Sequence, residues 1–512
     1  MKLTKPRKHM LGMAIALVLS APLSAANNEV IINQNSTAAA EGNLAEVHQS
    51  GDINLATVDQ AGGINSSSVQ QDGVWLEAYN FVAGNDNQIR TEQLADWHIA
   101  YVDIAGNENT ATVTQDGFFN TAELVMTGDM NDAAVTQAGE VNEAYVNLTG
   151  INNIVEVEQQ GNANWSNAGF SGDDNELYSL QSGDNNEAGM FNLSGNRNTF
   201  ESEQFGNANV GGIVGLTGDN NSFFVSQQGD GNVFIGTDVS GNDNLIDVMQ
   251  TGNANEFLLQ PLAGEQNLLL VDQRGDGNVV NAPTGMVGND NQIDIWQEGN
   301  LNNAVFATEG DGHNVEIRQT GDGNASEMLL TGATNEGIIY SRGDNNAAAL
   351  GLSGTANSGR IQQLGDDNTA VVDIIGDDND IMIDQSGNAN ALLLTSDTVV
   401  TANSATIEQN GDINLVDLLI SGNGNTLDIL QNGSGNWVTG DNGYFALSGN
   451  SGLLSITQQG NDNLVLGGQS GEGNMMTVTQ VGDFNTAIVV PERKRLSRTT
   501  HINNRRRLPR RT

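Results

Sequence analysis

Glycine returns in this chain at a fixed step. Gly117, Gly128, Gly139, Gly150, Gly161, Gly172 and Gly183 are each 11 residues apart. Gly299, Gly310, Gly321, Gly332, Gly343, Gly354, Gly365, Gly376 and Gly387 repeat that step eight times. Between Gly183 and Gly299 the step alternates between 11 and 12, with one of 13. A constant period means a stack of like units, each packing only on its neighbours.

Within each period the side chains alternate. Asn109, Ala111, Val113 and Gln115 precede Asp116 and Gly117, and Asn131, Ala133, Val135 and Gln137 precede Ala138 and Gly139. The residues between them are mostly Thr, Asp, Glu or Ala. Period two with one apolar and one polar side is a half-buried strand. The Gly-Asp-x-Asn stretches read as tight turns, with glycine at positive φ and Asp and Asn bonding their own backbone. Each 11-residue unit is then one strand and one turn, and two units make a rung of about 22 residues. The expected fold is all-β, a single elongated solenoid or cross-β stack of roughly 20 strand-turn-strand rungs.

Stacking like on like sets out ladders. The inward polar positions are Asn43, Gln49, Asn54, Gln60, Asn109, Gln115, Asn131 and Gln137. At the same phase follow Gln159, Gln181, Gln204, Gln227, Gln250, Gln273, Gln297, Gln319, Gln363, Gln385, Gln409, Gln431, Gln458 and Gln480. Intervening strands end in Leu148, Leu193, Leu216, Val239 and Leu262. Asparagine and glutamine ladders are therefore expected on one wall, with aliphatic ladders beside them. A buried amide without partners costs about 1–3 kcal/mol, so such an interior is satisfied only by stacking. Three places look irregular: Trp75–Tyr101, the turn at Ser396–Thr401 with Asp397 for glycine, and the 16-residue step from Gly433 to Gly449. All read as bulged rungs rather than domain boundaries.

Composition excludes the commoner alternatives. Aromatic residues are only 5% and there is no cysteine, so neither a large globular core nor a disulfide framework orders the chain. Residues 27–490 hold six of the 19 Lys and Arg against 62 of the 63 Asp and Glu, a net charge of −56. Such a body repels nucleic acid and anionic membrane. Carboxylates on rungs ~4.8 Å apart lie within the ~8 Å screening length, oppose assembly and keep an unfolded chain soluble.

The ends differ from the body. Lys2, Lys5, Arg7 and Lys8, the apolar run Met10 to Leu19, and Ser24, Ala25 and Ala26 read as a secretory signal peptide over residues 1–26. No segment has the ~18–20 apolar residues of a spanning helix. Residues 27–40 read as a lead segment and 41–490 as the repeat array. Residues 491–512, with Arg505, Arg506 and Arg507, read as a basic, disordered tail or an anchor to an acidic partner.

No catalytic or metal-binding constellation stands out, and no cofactor is expected. His48, His98 and His313 read as scattered surface histidines. The Gly229/Gly231 and Gly275/Gly277 pairs lack the strand-turn-helix context of a dinucleotide site. The acidic turns at Asp366–Asn368 and Asp377–Asn379 offer oxygen ligands, but the nine-residue pattern of calcium β-rolls is absent. Turns of four residues leave no room for the groove of a β-helix lyase.

The stretch Asn43-x-Ala45-x-Val47-x-Gln49-x-Gly51, Asn54-x-Ala56-x-Val58-x-Gln60-x-Gly62, Asn65-x-Ser67-x-Val69-x-Gln71-x-Gly73 resembles the curlin repeat. The resemblance extends over nearly all of residues 41–490. It implies a non-enzymatic subunit of extracellular curli fibres on a Gram-negative cell, acting in adhesion and biofilm matrix. It also implies self-assembly through the Gln and Asn positions above, with other curlin subunits and an outer-membrane export pore as partners. The chain departs from the family in its length, in the aliphatic ends of its second strands and in its arginine-rich tail. A monomeric surface adhesin or an ice- or ion-binding solenoid is the alternative, but such a solenoid would show a uniform outward column, and the outward residues here vary.

Overall fold

A computed structural model describes residues 27–35, 42–440, 443–489 and 498–503. The segment read as a signal peptide lies outside the described residues. The chain divides into two compact units, Met1–Leu216 and Thr217–Thr512. Among the described residues of both units there are strands and turns and no helix, so the all-β, solenoid expectation holds. In each unit successive segments alternate between two parallel sheets, and each segment pairs with the one a rung further on, a few segments being split into two short strands, as Glu256–Leu259 and Leu262–Ala263.

In the first unit, Thr110–Phe118 pairs with Asp132–Glu140, which pairs with Ile154–Gln160. Register is kept to the residue: Val113 faces Val135, which faces Val157, and Gln115 faces Gln137, which faces Gln159. The second unit repeats the scheme through Gln292–Glu298, Asn314–Thr320 and Glu336–Arg342. The step of two along the strand turns alternate residues inward, as the burial of Ala111, Val113 and Gln115 between partly exposed neighbours records. The core is a narrow double file of aliphatic side chains closed at its edges by buried Asn and Gln. Phe200 in the first unit and Phe223, Phe234, Phe257, Phe306 and Phe445 in the second are wholly buried within it.

The turns bond from rung to rung as the strands do. Gly161 N donates to Ala138 O at 2.9 Å and Ala163 N to Glu140 O at 2.8 Å. Stacked glycines make this possible: Gly117 has φ +108°, and a Cβ on it would run into the carbonyl oxygen of Gly139. Each turn also contains a second left-handed residue two places further on. That place is filled by Ile64 (φ 64°), Phe119 (φ 57°), Val141 (φ 60°) and Ile413 (φ 58°) as well as by Asn, Asp and Gly. Composition gives no sign of it, because strongly disfavoured β-branched residues occupy it.

The irregular places are local. Val400 takes the place of the missing glycine, its carbonyl standing over Gly376. The long step holds two short strands, Trp437–Thr439 and Phe445–Ser448, and both still pair with Leu415–Ser421. Two terminal expectations are corrected. Residues 27–40 are not merely a lead, because Glu29–Asn35 pairs in parallel with Leu55–Gly63. Asn28 just before it and its own Val30, Ile32 and Gln34 carry the repeat's alternation. Part of the basic tail is also ordered as strand: Arg498–Asn503 pairs with Met475–Val481, placing Ile502 opposite Gln480. The last strand of a parallel sheet is an open edge, and a segment rich in β-branched residues (Thr499, Thr500, Ile502) suits it.

Candidate self-assembly ladders

The glutamines of one sheet form files of amides. Gln115 Nε2 donates to Gln137 Oε1 at 2.9 Å, and Gln137 Nε2 to Gln159 Oε1 at 2.8 Å. The second proton of Gln137 goes across the core to the carbonyl of Thr121 at 3.0 Å. Each interior amide thus spends both donors and accepts once. In the first unit the file runs Gln49, Gln71, Gln93, Gln115, Gln137, Gln159, Gln181, Gln204. In the second it runs from Gln227 through Gln250, Gln273 and Gln297 to Gln319. Ser341 interrupts it, and Gln319 Nε2 turns to Ser326 Oγ at 3.0 Å. It resumes as Gln363, Gln385, Gln409, Gln431, Gln458, Gln480.

The asparagines run in the opposite sense. Asn131 gives its backbone N–H and its Nδ2 to Asn109 Oδ1, at 2.9 and 3.0 Å, while Nδ2 also reaches Gly150 O at 2.9 Å. An equal file runs along the other edge of the core, where Asn142 bonds Asn120 at 2.9 and 3.2 Å and Gly161 O at 2.8 Å. Asparagine ladders therefore line both edges, not one wall. Asn43, Asn109 and Asn131 belong to one file and Asn54 to the other. Most strands enter their sheet from a turn that uses the same bond, so both edges favour Asn, with Leu76 and Gly452 among the exceptions.

Gln60 is the one predicted glutamine placed apart. It sits on the aliphatic sheet, accepts from Gln34 Nε2 at 2.8 Å, and is followed in register by Val82. Residues missed from sequence include Gln93, hidden in the stretch whose glycines are irregular. Counting 22 back from Gln115 would have found it.

Two histidines were misread as surface residues. His98 and His313 are 0% and 1% exposed and stand in the asparagine files. Asn120 N donates to His98 Nδ1 at 3.2 Å, and His98 Nε2 lies 2.7 Å from Leu94 O. His313 repeats this with Asn335 N and Glu309 O at 3.3 and 3.2 Å. The imidazole copies the asparagine amide, acceptor on one side and donor on the other, which requires the neutral ring with its proton on Nε2. Burial lowers both pKa values, opposed by the backbone bonds and nearby Asp116 and Asp96 for His98, and Asp311 for His313.

The turn carboxylates also differ from expectation. They bond the neighbouring rung rather than their own backbone: Asp322 N donates to Asp344 Oδ1 and Asp344 N to Asp366 Oδ1, each at 2.9 Å. Among the described residues no group of three or more His, Cys, Asp or Glu is placed to hold a metal ion. Nor is there among them a helix long and apolar enough to cross a membrane.

The last rungs leave amide groups open. Asn485 donates to Asn463 Oδ1 at 2.8 Å, yet among the described residues its own buried Oδ1 has no partner. In interior rungs that oxygen receives two bonds from the following asparagine.

These features define a class: parallel β-solenoids whose rungs are laced by buried amide files. The sequence places the chain more closely within it. It matches the curlin associated repeat seven times, at residues 41–73, 84–117, 106–139, 128–161, 288–321, 354–387 and 449–482. The chain carries curlin repeats within a long repeat array. No curated protein matches it.

Proposed function

We propose that this protein is a secreted, non-enzymatic subunit of a curli-type amyloid fibre that serves adhesion and biofilm matrix on a Gram-negative cell. The observation that carries this reading is the open acceptor at Asn485 Oδ1. Continuing the file past Asn485 brings the Asn28 position of a second copy, with its backbone N–H and Nδ2, onto that oxygen. The Gln and Asn files are then the self-assembly residues, and the same bonds that join rungs join copies. Export through an outer-membrane pore and co-assembly with other curlin subunits follow from the repeat family. The chain would cross unfolded, because single rungs leave every amide unpaired.

The strand Arg498–Asn503 favours a second reading. It pairs with Met475–Val481 at the end of the glutamine-bearing sheet, as the terminal cap of a single-chain solenoid would. Fibre formation by the mature chain decides between them. The fibre reading expects Congo-red-binding filaments with a meridional reflection at ~4.7–4.8 Å. A chain that stays monomeric, full-length or truncated after residue 490, would contradict it.

A further inference from the structure

The turns that follow the glutamine strands each hold one left-handed residue, so these residues form a column along one edge of the stack. In the second unit the column is mostly Gly, Ala, Asn or Asp, with Leu301, Ile413 and Phe484 standing singly. The first unit ends in the same way, with Ala163, Asn185 and Ala208. Its earlier rungs break the pattern: Ile53, Trp75, Trp97, Phe119 and Val141 follow one another at φ between 57° and 66°. Trp75, Trp97, Phe119 and Val141 are 42, 43, 53 and 47% exposed. Their rings stack, Trp75 on Trp97 at 5.0 Å and Trp97 on Phe119 at 5.4 Å between centres. Bulky apolar side chains are disfavoured there twice, by backbone conformation and by water, and five in succession mark a surface to be covered.

The flanking charge selects the cover. Within three residues of every ridge side chain stands a carboxylate that is not buried: Asp52 by Ile53, Asp72 and Glu77 by Trp75, Asp96 by Trp97, Asp116 by Phe119, Glu140 and Glu143 by Val141. Residues 44–143 hold 16 Asp and Glu against one Lys or Arg, and that residue, Arg90, is paired with Glu92 at 2.7 Å. Another acidic repeat body would be repelled. Residues 504–512 have the opposite character: Arg505, Arg506, Arg507, Arg510 and Arg511 with Leu508, and no acid.

These residues also leave the fold at the right edge. Arg498–Asn503 pairs with Met475–Val481 so that Asn503 is opposite Val481, beside the turn that bears Phe484. With Asn28 of a second copy stacked after Asn485, Ile53 of that copy lies two rungs beyond Phe484 and its Val141 six, ~10 and ~29 Å along the same edge. Nine extended residues span ~30 Å. We propose, on the fibre reading above, that residues 504–512 of one copy lie along the Ile53–Trp75–Trp97–Phe119–Val141 ridge of the next and strap the junction. Arginine stems and Leu508 cover the rings while the guanidiniums reach the flanking carboxylates.

The test uses dispersed full-length chain and a fluorescein-labelled peptide of residues Asn504–Thr512, with binding read by anisotropy at low salt. Trp75→Asn/Trp97→Asn/Phe119→Asn should weaken binding about tenfold or more. Asparagine already occupies this column at Asn185 and Asn345, so the fold accepts it. Asp72→Asn/Asp96→Asn/Asp116→Asn should weaken binding in the same direction, as should added salt. Leu301→Asn/Ile413→Asn should bind like wild type, and circular dichroism checks strand content throughout. In fibres, deleting 504–512 should keep the meridional reflection and speed the release of subunits about tenfold. A peptide that does not bind, equal binding by the ridge variants and wild type, or unchanged release from truncated fibres overturns the strap. Ridge-dependent peptide binding by a chain that never forms fibres supports the tail-to-ridge contact and overturns the fibre reading alone.

Discussion

Replacing Gln137 with methionine keeps the side chain's length and removes three hydrogen bonds. Gln137 is 1% exposed; it donates to Gln159 Oε1 at 2.8 Å and Thr121 O at 3.0 Å and accepts from Gln115 Nε2 at 2.9 Å. The substitution strands one donor and two acceptors in a dry interior. At about 1–3 kcal/mol for each unsatisfied group, partly relieved by relaxation, the loss is about 3–6 kcal/mol. Ser341 shows the available relief: there the preceding Gln319 re-aims at Ser326 Oγ and the Asn324 carbonyl. The strand that packs across from Gln137 offers Ala144 at the place where Gln319 finds Ser326, so no such rescue exists. A long repeat array does not unfold in one step, so the assay is hydrogen exchange of peptides from 110–160, with 369–420 as internal reference. Exchange in the first segment should accelerate at least a hundredfold while the reference stays unchanged. Thr136→Met, on the outward side, should do little. Equal protection in Gln137→Met and wild type would refute the claim that the amide file holds the rungs.

Other perturbations probe separate parts of the account. His98 must be neutral in the fold and its pKa is lowered by burial, so stability is full above about pH 6.5 and is lost as pH falls and the unfolded ring takes a proton. His98→Asn should abolish that acid loss in local exchange, and an identical pH profile would disprove the assigned tautomer. Ile413→Gly relieves a β-branched residue at φ 58° and should raise local stability by about 1 kcal/mol; a loss would show that the exposed side chain contributes more than the strain. Burial raises the pKa of Asp132, Asp294 and Asp384 on the strand faces, so their ionisation opposes folding and stability should rise as pH falls toward 4. Asp294→Asn should flatten that gain, and an unaltered pH slope would remove Asp294 from the explanation.

Most of the repeat is readable because one period sets both backbone and side chains. The 11-residue glycine step marks the turns, and the alternation from Asn109 to Gln115 separates inside from outside. What escaped has physical causes. Gln93 lies where Ala95 replaces the turn glycine, so counting glycines loses the phase although the 22-residue register persists. His98 and His313 escaped because an imidazole can imitate an amide in a hydrogen-bond file, a likeness of geometry rather than of residue class. The two asparagine files look like one in sequence, since both edges of the core ask the turn for the same bond. Glu29–Asn35 was set aside because no turn glycine frames it, yet it follows the inward-outward alternation. The pairing of Arg498–Asn503 is set by the exposed edge of Met475–Val481, which no local pattern in the tail announces.

End-to-end stacking can be trapped directly, because the chain has no cysteine. If Asn485 of one copy receives Asn28 of the next, then Ile488 faces Ile31 across the junction. These residues are 70% and 39% exposed at the two ends. Parallel strands ~4.8 Å apart place their Cα atoms within the ~4.4–6.8 Å that a disulfide spans. The Ile31→Cys/Ile488→Cys chain, oxidised during assembly, should run on a non-reducing gel as a ladder of covalent oligomers that collapses to monomer on reduction. Mass spectrometry should find the 31–488 linkage between chains. Fibres that form normally yet yield only monomer under oxidation would contradict stacking through the amide files.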